Sequence, residues 1–316
     1  MTSHSLRFVG LHVRTLRSYK KALLGFFQWL DDEDLPIPAK ATHLDDLLAR
    51  YLEHLWLDDI NITYAGHTLS ALRRFYPPLR YKIPTARQFF TNWKSVHVPR
   101  QAVPMPANVA LALAGVAVSI QEEALGLLIL LGFTAFLRTG EITALRPQQI
   151  QVNIHLGQII LALPATKTSK NKDESVAVND PLLARFTLHV LATASGPTLA
   201  NLTPNQFRSR LQHLISFLHL QRHNFTGYSL RRGSASHSSL RRGSASHSFA
   251  HGGNFDALLI AGRWQSIKTA RQYLDSGRAA LVQLQLTPKS AHLVDHFQAS
   301  MTSFCEQLRQ RRTFQR

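Results

Sequence analysis

The sequence predicts an α+β protein, mainly α with a small antiparallel β-sheet, in two parts. Three observations predict it. In the first hundred residues, and again near the C-terminus, apolar residues recur at three- and four-residue steps, the period of a helix buried along one face. Three short segments between positions 149 and 178 have β-branched residues at strand length. Between the halves, VPRQAVPMP at 98–106 holds three prolines and few apolar anchors, the composition of a linker.

The N-terminal part, 11–97, reads as four helices. In the first, Leu16, Tyr19, Leu23, Phe27 and Leu30 make a stripe behind Thr15 as cap. The second, near 43–57, aligns Leu44, Leu47, Leu48, Tyr51, Leu52 and Leu55. A third starts near Thr63 and stops at Pro77-Pro78, and a fourth covers 85–96 with Phe89, Phe90 and Trp93. The second domain, 105–316, is mixed. Helices are expected near 107–119, 121–137 and 140–146, and strands near 149–154, 158–163 and 175–178. Asp180-Pro181 and Thr203-Pro204 each pair a cap residue with proline at the first helical position, so a helix follows each. Leu293, Phe297, Phe304 and Leu308 share one stripe of a last helix at 291–310.

The chain has 316 residues, 36 Lys+Arg against 19 Asp+Glu, and a formal charge of +17. Residues 1–104 carry 14 basic and 9 acidic side chains, and residues 105–316 carry 22 and 10. An excess concentrated in one half points to a polyanionic partner, nucleic acid before an anionic membrane. Cys305 is the single cysteine, which excludes a disulfide framework. The sixteen histidines are scattered with no H-E-x-x-H pair, so no metal site is expected. The apolar run 125–137 is too short to span a bilayer and reads as a buried helix. With no apolar signal core at the N-terminus, an intracellular location is expected.

Several residues are suited to phosphate chemistry. Cutting a DNA backbone without metal or ATP needs a nucleophile, cations on the non-bridging oxygens, and a proton for the leaving 5′ oxygen. An arginine fork grips phosphate in a bidentate way, a lysine can supply the proton, and a tyrosine phenol can attack to leave a covalent intermediate. In LGFTAFLRTGEITALR, 131–146, Arg138 sits at a helix break ahead of Glu141. Lys167 lies in the polar tip of LPATKTSKNKDESVAV, 163–178, between two strands. SLRRGSASHS occurs at 229–238 and again at 239–248, placing Arg231 and Arg241 in identical contexts. GRW at 262–264 and TARQYLDSG at 269–277 bring Trp264 and Tyr273. Each has an ordinary reading too: a helix-capping arginine, a solvated hairpin tip, a core tryptophan, a half-buried tyrosine.

Together these residues resemble the tyrosine recombinase (phage-integrase) family. Its pattern is an arginine in G-hydrophobic-R-x-x-E, a hairpin lysine, H-x-x-R, a His or Trp after glycine, and a tyrosine nine residues on. Arg138 with Glu141, Lys167, Trp264 and Tyr273 match, and Tyr273 follows Trp264 by nine. The helical N-terminal part resembles the family's core-binding domain, so the resemblance spans nearly the whole chain, and it points to the eukaryotic mobile-element branch. It implies site-specific recombination or integration of double-stranded DNA, by strand cleavage and rejoining through a 3′-phosphotyrosyl link, in a tetramer on paired sites. It implies two domains closing on the duplex, no cofactor and no membrane, and residence in the nucleus if the host is eukaryotic and otherwise in the cytoplasm. Lys20, Lys21, Arg73 and Arg74 are expected to contact DNA phosphates. The terminal helix, 291–310, is expected to dock on a neighbouring protomer.

Two departures keep alternatives open. The histidine of H-x-x-R is absent: Tyr228 stands at that place in the first copy and Ser238 in the second. The duplication also offers two arginines for one role. Arg241 lies 23 residues before Trp264, the family's spacing, and Arg231 lies 33 before it. Ten extra helical residues would displace a side chain by ~15 Å and turn it by ~80°, so both cannot fill one pocket. The spacing favours Arg241, with Arg231 as the alternative. A decayed or domesticated DNA-binding protein, which keeps fold and charge without chemistry, is the leading rival. A type IB topoisomerase-like enzyme and a basic scaffold with no DNA role are the others.

Overall fold

The structure is a computed structural model, and it describes residues 10–98, 101–163, 174–234, 259–260, 262–264, 266 and 276–310. The chain divides into two compact units, Met1–Arg100 and Gln101–Arg316.

The first unit contains α1 (Val13–Asp32), α2 (Ala41–Leu57), α3 (Ile62–Phe75) and α4 (Pro84–Val96). The α1 helix begins two residues before the expected cap: His12 Nδ1, not Thr15, accepts the free Arg14 N–H at 3.2 Å. The buried stripe of α1 is also rotated, with Ala22, Phe26, Trp29 and Leu30 inside and Phe27 38% exposed. Steps of three and four from Leu23 reach both phenylalanines, and the packing selects Phe26, whose ring centroid lies 5.1 Å from that of Tyr51 on α2. Asp45, buried on α2, accepts the N–H groups of Thr85 and Ala86 at 2.9 Å each, so one helix caps another. Lys20 and Lys21 on α1 and Arg74 on α3 are exposed, and Arg73 is half-buried.

The second unit runs α5 (Ala107–Ser119), α6 (Glu123–Thr134), α7 (Thr139–Ala144), β1 (Ile150–Asn153), β2 (Gln158–Leu163), β3 (Glu174–Asn179), α8 (Pro181–Thr193) and α9 (Pro204–Phe217). Residues 227–234 are helical (α10), and α11 (Ser276–Leu284) and α12 (Pro288–Gln310) follow. The sheet is antiparallel in the order β1-β2-β3, pairing Val152 with Ile159 and Ile159 with Val178. Ile159, Leu161, Leu163, Val176 and Val178 are buried, as the two-residue period requires when one face meets a core. Asp180 and Thr203 cap α8 and α9 ahead of their prolines.

The α5 and α6 helices are apolar on nearly every side because each is covered by neighbours. Among the described residues no helix is long and apolar enough to cross a membrane. The terminal helix α12 spends its apolar stripe within this chain, burying Val294, Met301 and Cys305 against α5 and α8. A Cβ on Gly115 of α5 would collide with the Phe297 carbonyl of α12, so the glycine is what lets the two backbones meet. A stripe fixes which residues are buried, not which surface covers them, and here that surface is in the same chain.

Among the described residues, six helical ends share one closing motif. An N–H five residues on bonds back into the last turn across a residue in the left-handed region: Leu35 to Leu30, Ile60 to Leu55, Glu122 to Ala117, Leu137 to Gly132, Leu220 to Ile215 and Trp264 to Leu259. The left-handed residues are Asp34, Asp59, Gln121, Phe136, His219 and Arg263, and none is glycine. Glycine is the usual occupant because it has no Cβ to clash, and a bulky residue there costs roughly 1–2 kcal/mol. The two bulkiest occupants, Phe136 and Arg263, face each other at the charged cluster.

Candidate active site

Arg138 arises where α6 ends. The chain leaves α6 through Phe136, at φ 54°, and Arg138 becomes the N-cap of α7. Three residues on, Glu141 reaches back: its Oε2 accepts the Arg138 N–H at 2.8 Å, and its Oε1 accepts the Arg138 Nη1 at 2.6 Å. Glu141 is nearly buried, whereas the Arg138 side chain keeps 35% of its surface exposed. One edge of that guanidinium is therefore fixed on a carboxylate, and about a third of the side chain is open to solvent.

The second turn lies far along the chain. At 259–264, Trp264 N–H bonds to the Leu259 carbonyl at 2.9 Å across Arg263, at φ 53°. Trp264 is 7% exposed, and its ring meets Phe136 edge-on with centroids 5.8 Å apart. Arg231, on α10, is completely buried between the two turns. Its Nη1 donates to the Phe136 carbonyl at 2.5 Å, its Nη2 donates to the Gly262 carbonyl at 2.7 Å, and its guanidinium lies 5.6 Å from the centre of the Trp264 ring. The helix carrying Arg231 is pinned to the segment before α5 by a bond from Met105 N–H to the Ser229 carbonyl at 3.1 Å. Gly233 makes that approach feasible, since a Cβ there would run into the Met105 carbonyl oxygen.

Arg263 joins the pieces. Its Nη2 donates to Glu141 Oε2 at 2.7 Å and reaches the Phe136 carbonyl at 3.4 Å, and its Nη1 donates to Glu174 at 3.2 Å. Burial pushes the Glu141 carboxyl toward higher pKa, but the hydrogen bonds and charge of Arg263 and the donors of Arg138 outweigh it and hold the group below its ordinary value. Glu141 is thus a buried carboxylate bonded by arginines from two distant segments.

Of the expected site residues, the structure brings together Arg138, Arg231 and Trp264. Lys167, Arg241 and Tyr273, with the second copy of the duplicated decapeptide, lie outside the described residues. Spacing to Trp264 favours Arg241; the observed geometry sets Arg231 against Trp264 and Gly262, despite the longer intervening chain. Tyr228, in the place of the family histidine, is 42% exposed. Lys20, Lys21, Arg73 and Arg74 belong to the first unit. Sequence reasoning does not single out Arg263 or Glu174. Arg263 stands beside Trp264 in GRW, but no local pattern shows that it reaches a carboxylate 122 residues away. Among the described residues no group of three His, Cys, Asp or Glu side chains is placed to hold a metal ion.

No family model matches the chain, and no curated protein matches its sequence. Solved structures do. The integrase of the Tn1549 transposon, in complex with transposon right-end DNA, is similar over 88% of this chain and 96% of its own, with a TM-score of 0.59 and 12% identity. A lambda integrase dimer bound to a COC′ core site matches with a TM-score of 0.56 and 16% identity, over 85% of this chain and 90% of its own. XerH site-specific recombinase bound to palindromic difH substrate matches with a TM-score of 0.55 and 13% identity, over 81% of this chain and 75% of its own. At such identities the likeness is one of fold: this chain has the mainly helical fold, with its small three-stranded antiparallel sheet, of the tyrosine recombinases.

Proposed function

We propose that the protein is a tyrosine-type DNA recombinase that cuts and rejoins duplex DNA at specific sites. The observation that carries this reading is the convergence of Arg138, Arg231 and Trp264, from three separated segments, on one cluster in a chain with the tyrosine recombinase fold. Arg138, with a third of its side chain in solvent, holds a non-bridging oxygen of the scissile phosphate as charge grows there, and Arg231, buried here on two backbone carbonyls, joins it when bound DNA opens the cluster. Trp264 supports Arg231 through its ring face. Lys167 delivers the proton to the 5′ leaving oxygen. Tyr273 attacks phosphorus, leaving a 3′-phosphotyrosyl bond that a partner strand's 5′ hydroxyl later reverses.

In this reading Arg231, not Arg241, serves as the second phosphate arginine. Lys20, Lys21, Arg73 and Arg74 position the first unit, 11–97, on the duplex, and the second, 105–316, does the chemistry. The working assembly is a tetramer on paired sites of a mobile element. Nuclear residence follows if the host is eukaryotic.

A second reading is favoured by two observations. The residue three before Arg231 is an exposed tyrosine, which replaces no imidazole as a proton relay near neutral pH, and the duplicated decapeptide lengthens the chain between Arg231 and Trp264. A decayed DNA-binding protein would keep the fold and charge without cleavage. The deciding experiment incubates wild type and Tyr273→Phe with nicked duplexes taken from the sequences that flank the gene. Recombinase function predicts a denaturant-resistant protein–DNA adduct in wild type that Tyr273→Phe loses. Salt-sensitive DNA binding with no adduct on any flanking sequence would replace this reading with the decayed one.

A further inference from the structure

Arg263 has no role in the chemistry just proposed, and its placement is costly. It takes a left-handed conformation that a side chain with a Cβ disfavours, and it buries a guanidinium whose side chain is only 7% exposed. What it gains is a set of contacts on three separate pieces of chain. Its Nη2 holds the same Glu141 oxygen that accepts the Arg138 N–H, while the other Glu141 oxygen holds the Arg138 guanidinium. Nη2 also reaches the Phe136 carbonyl, the group that holds Arg231. Nη1 holds Glu174, the first residue of β3.

We propose that Arg263 is a positioning residue that sets the orientation of both phosphate-binding arginines, Arg138 through Glu141 and Arg231 through the Phe136 and Gly262 carbonyls. The inference rests on the recombinase reading above. The fork matters as much as the charge. A guanidinium can donate to two carboxylates and a carbonyl at once from one rigid plane, whereas an ammonium is a single point on a flexible stem. Freed from Arg263, Glu141 has no second cation on Oε2, and its grip on Arg138 is no longer fixed in direction. The turn at 259–264 loses its tie through Arg263 to Glu141 and the Phe136 carbonyl. Arg231 itself and the Phe136–Trp264 ring contact still hold the two turns together, but the two carbonyls that hold Arg231 are less firmly placed. Small displacements of oriented groups of this kind cost rate without costing affinity.

The test requires a DNA site that the full chain cleaves, recovered by selection from flanking or random duplexes, in a nicked form that traps the covalent adduct. Single-turnover adduct formation is then measured for wild type, Arg263→Met and Arg263→Lys at saturating DNA. Two substrates are compared, one with a normal scissile phosphate and one in which a non-bridging oxygen is replaced by a methyl group. The methyl removes the charge that the two arginines exist to balance. On the normal phosphate Arg263→Met should slow adduct formation on the order of 10²-fold with DNA affinity retained, and Arg263→Lys should recover part of the loss. On the methylated phosphate the deficit of Arg263→Met should shrink to within about threefold of wild type, because little charge is left for misplaced arginines to neglect. An equal deficit on both substrates would show a merely structural role, and an unchanged rate on the normal phosphate would show none; either overturns the proposal. If Arg263→Met does not fold, Glu174→Gln, which removes one of the fork's two carboxylate anchors, goes through the same comparison. A deficit confined to the normal phosphate supports the proposal there too, and an equal deficit or none overturns it. Failure of wild type itself to form an adduct on any selected site would overturn the recombinase reading and this inference with it.

Discussion

Between α5, α6 and α12 the second unit buries leucine, valine and alanine from several helices, and each contact is short-ranged, non-directional and replaceable by a neighbour of similar volume. At the far end of α6 the same chain buries the side chains of Arg231, Arg263 and Glu141, in contacts that depend on direction and on partners as far as 95 and 122 residues away. The first region tolerates approximate geometry and loses stability when volume is removed. In the second, buried ionic groups are tolerable only with their partners in place, so it keeps its shape by matching donors to acceptors and loses function when a single donor moves. Substitutions that affect only one of the two properties put this contrast to the test.

The largest expected effect belongs to the apolar region. Phe186 on α8 is fully buried, and its ring meets Phe304 of α12 edge-on with centroids 5.7 Å apart. Phe186→Ala should cost about 3–5 kcal/mol of unfolding free energy, read from the urea midpoint of the full chain. The cleavage rate per folded molecule should be close to wild type. A stable Phe186→Ala protein with impaired cleavage would mean that α12 governs the site and that the two regions are not separate.

The converse is Arg138→Lys. A lysine keeps a positive charge beside Glu141 and loses the planar fork that spans phosphate oxygens. Adduct formation should fall on the order of 10²-fold, while the unfolding free energy moves by less than about 1 kcal/mol, as suits a side chain with a third of its surface in solvent. A large loss of stability with little loss of rate would make Arg138 a helix cap and nothing more.

The contrast also explains what the sequence reveals. Four helices in the first unit, three strands at 150–179 and the capped starts of α8 and α9 are all readable, because period, proline and cap residue act within a few positions. The helix ends are harder to read. Asp34, Gln121, Phe136 and Arg263 occupy left-handed positions where glycine is the ordinary signal, and hydrogen bonds and tertiary contacts, not intrinsic preference, hold them there. Phe26 and Phe27 satisfy the same period, and only the opposing Tyr51 distinguishes them. Arg138 and Trp264 stand out through their motif contexts. Arg263 does not, since its significance lies entirely in Glu141 and Glu174, and nothing at position 263 announces either. The choice between Arg231 and Arg241 is likewise a long-range matter: spacing along the chain favours Arg241, and the contacts of Arg231 with Gly262 and Trp264 favour Arg231.

Glu141→Gln probes the charged cluster by pH. The folded-state pKa of Glu141 lies below its ordinary 4.5, so its ionisation stabilises the fold above that value, and the contribution fades as pH falls through the lowered one. The glutamine variant lacks this contribution at every pH. Wild type should therefore exceed Glu141→Gln by about 1–3 kcal/mol at neutral pH, and the gap should close as the solution is acidified below the folded pKa. Paired urea titrations at several pH values measure the gap. A gap that stays constant with pH would mean the carboxylate's charge is not what Arg138 and Arg263 bind.

The smallest effect should come from an ion pair of similar appearance in a different setting. Arg210 on α9 pairs with Glu122, just ahead of α6, and the two side chains are 48% and 29% exposed. Water competes for both groups, salt screens them, and holding two long side chains together costs rotamer entropy. Arg210→Ala should change unfolding free energy by less than about 1 kcal/mol, by an amount that falls further as salt rises. Glu141 and Glu122 each accept a bond from an arginine, and chemically the pairs are alike; what separates them is that Glu141 has lost its water and Glu122 has not. An Arg210→Ala cost equal to that of Glu141→Gln would show that the ion pairs matter here irrespective of burial. The contrast between the two regions would then rest on apolar packing alone.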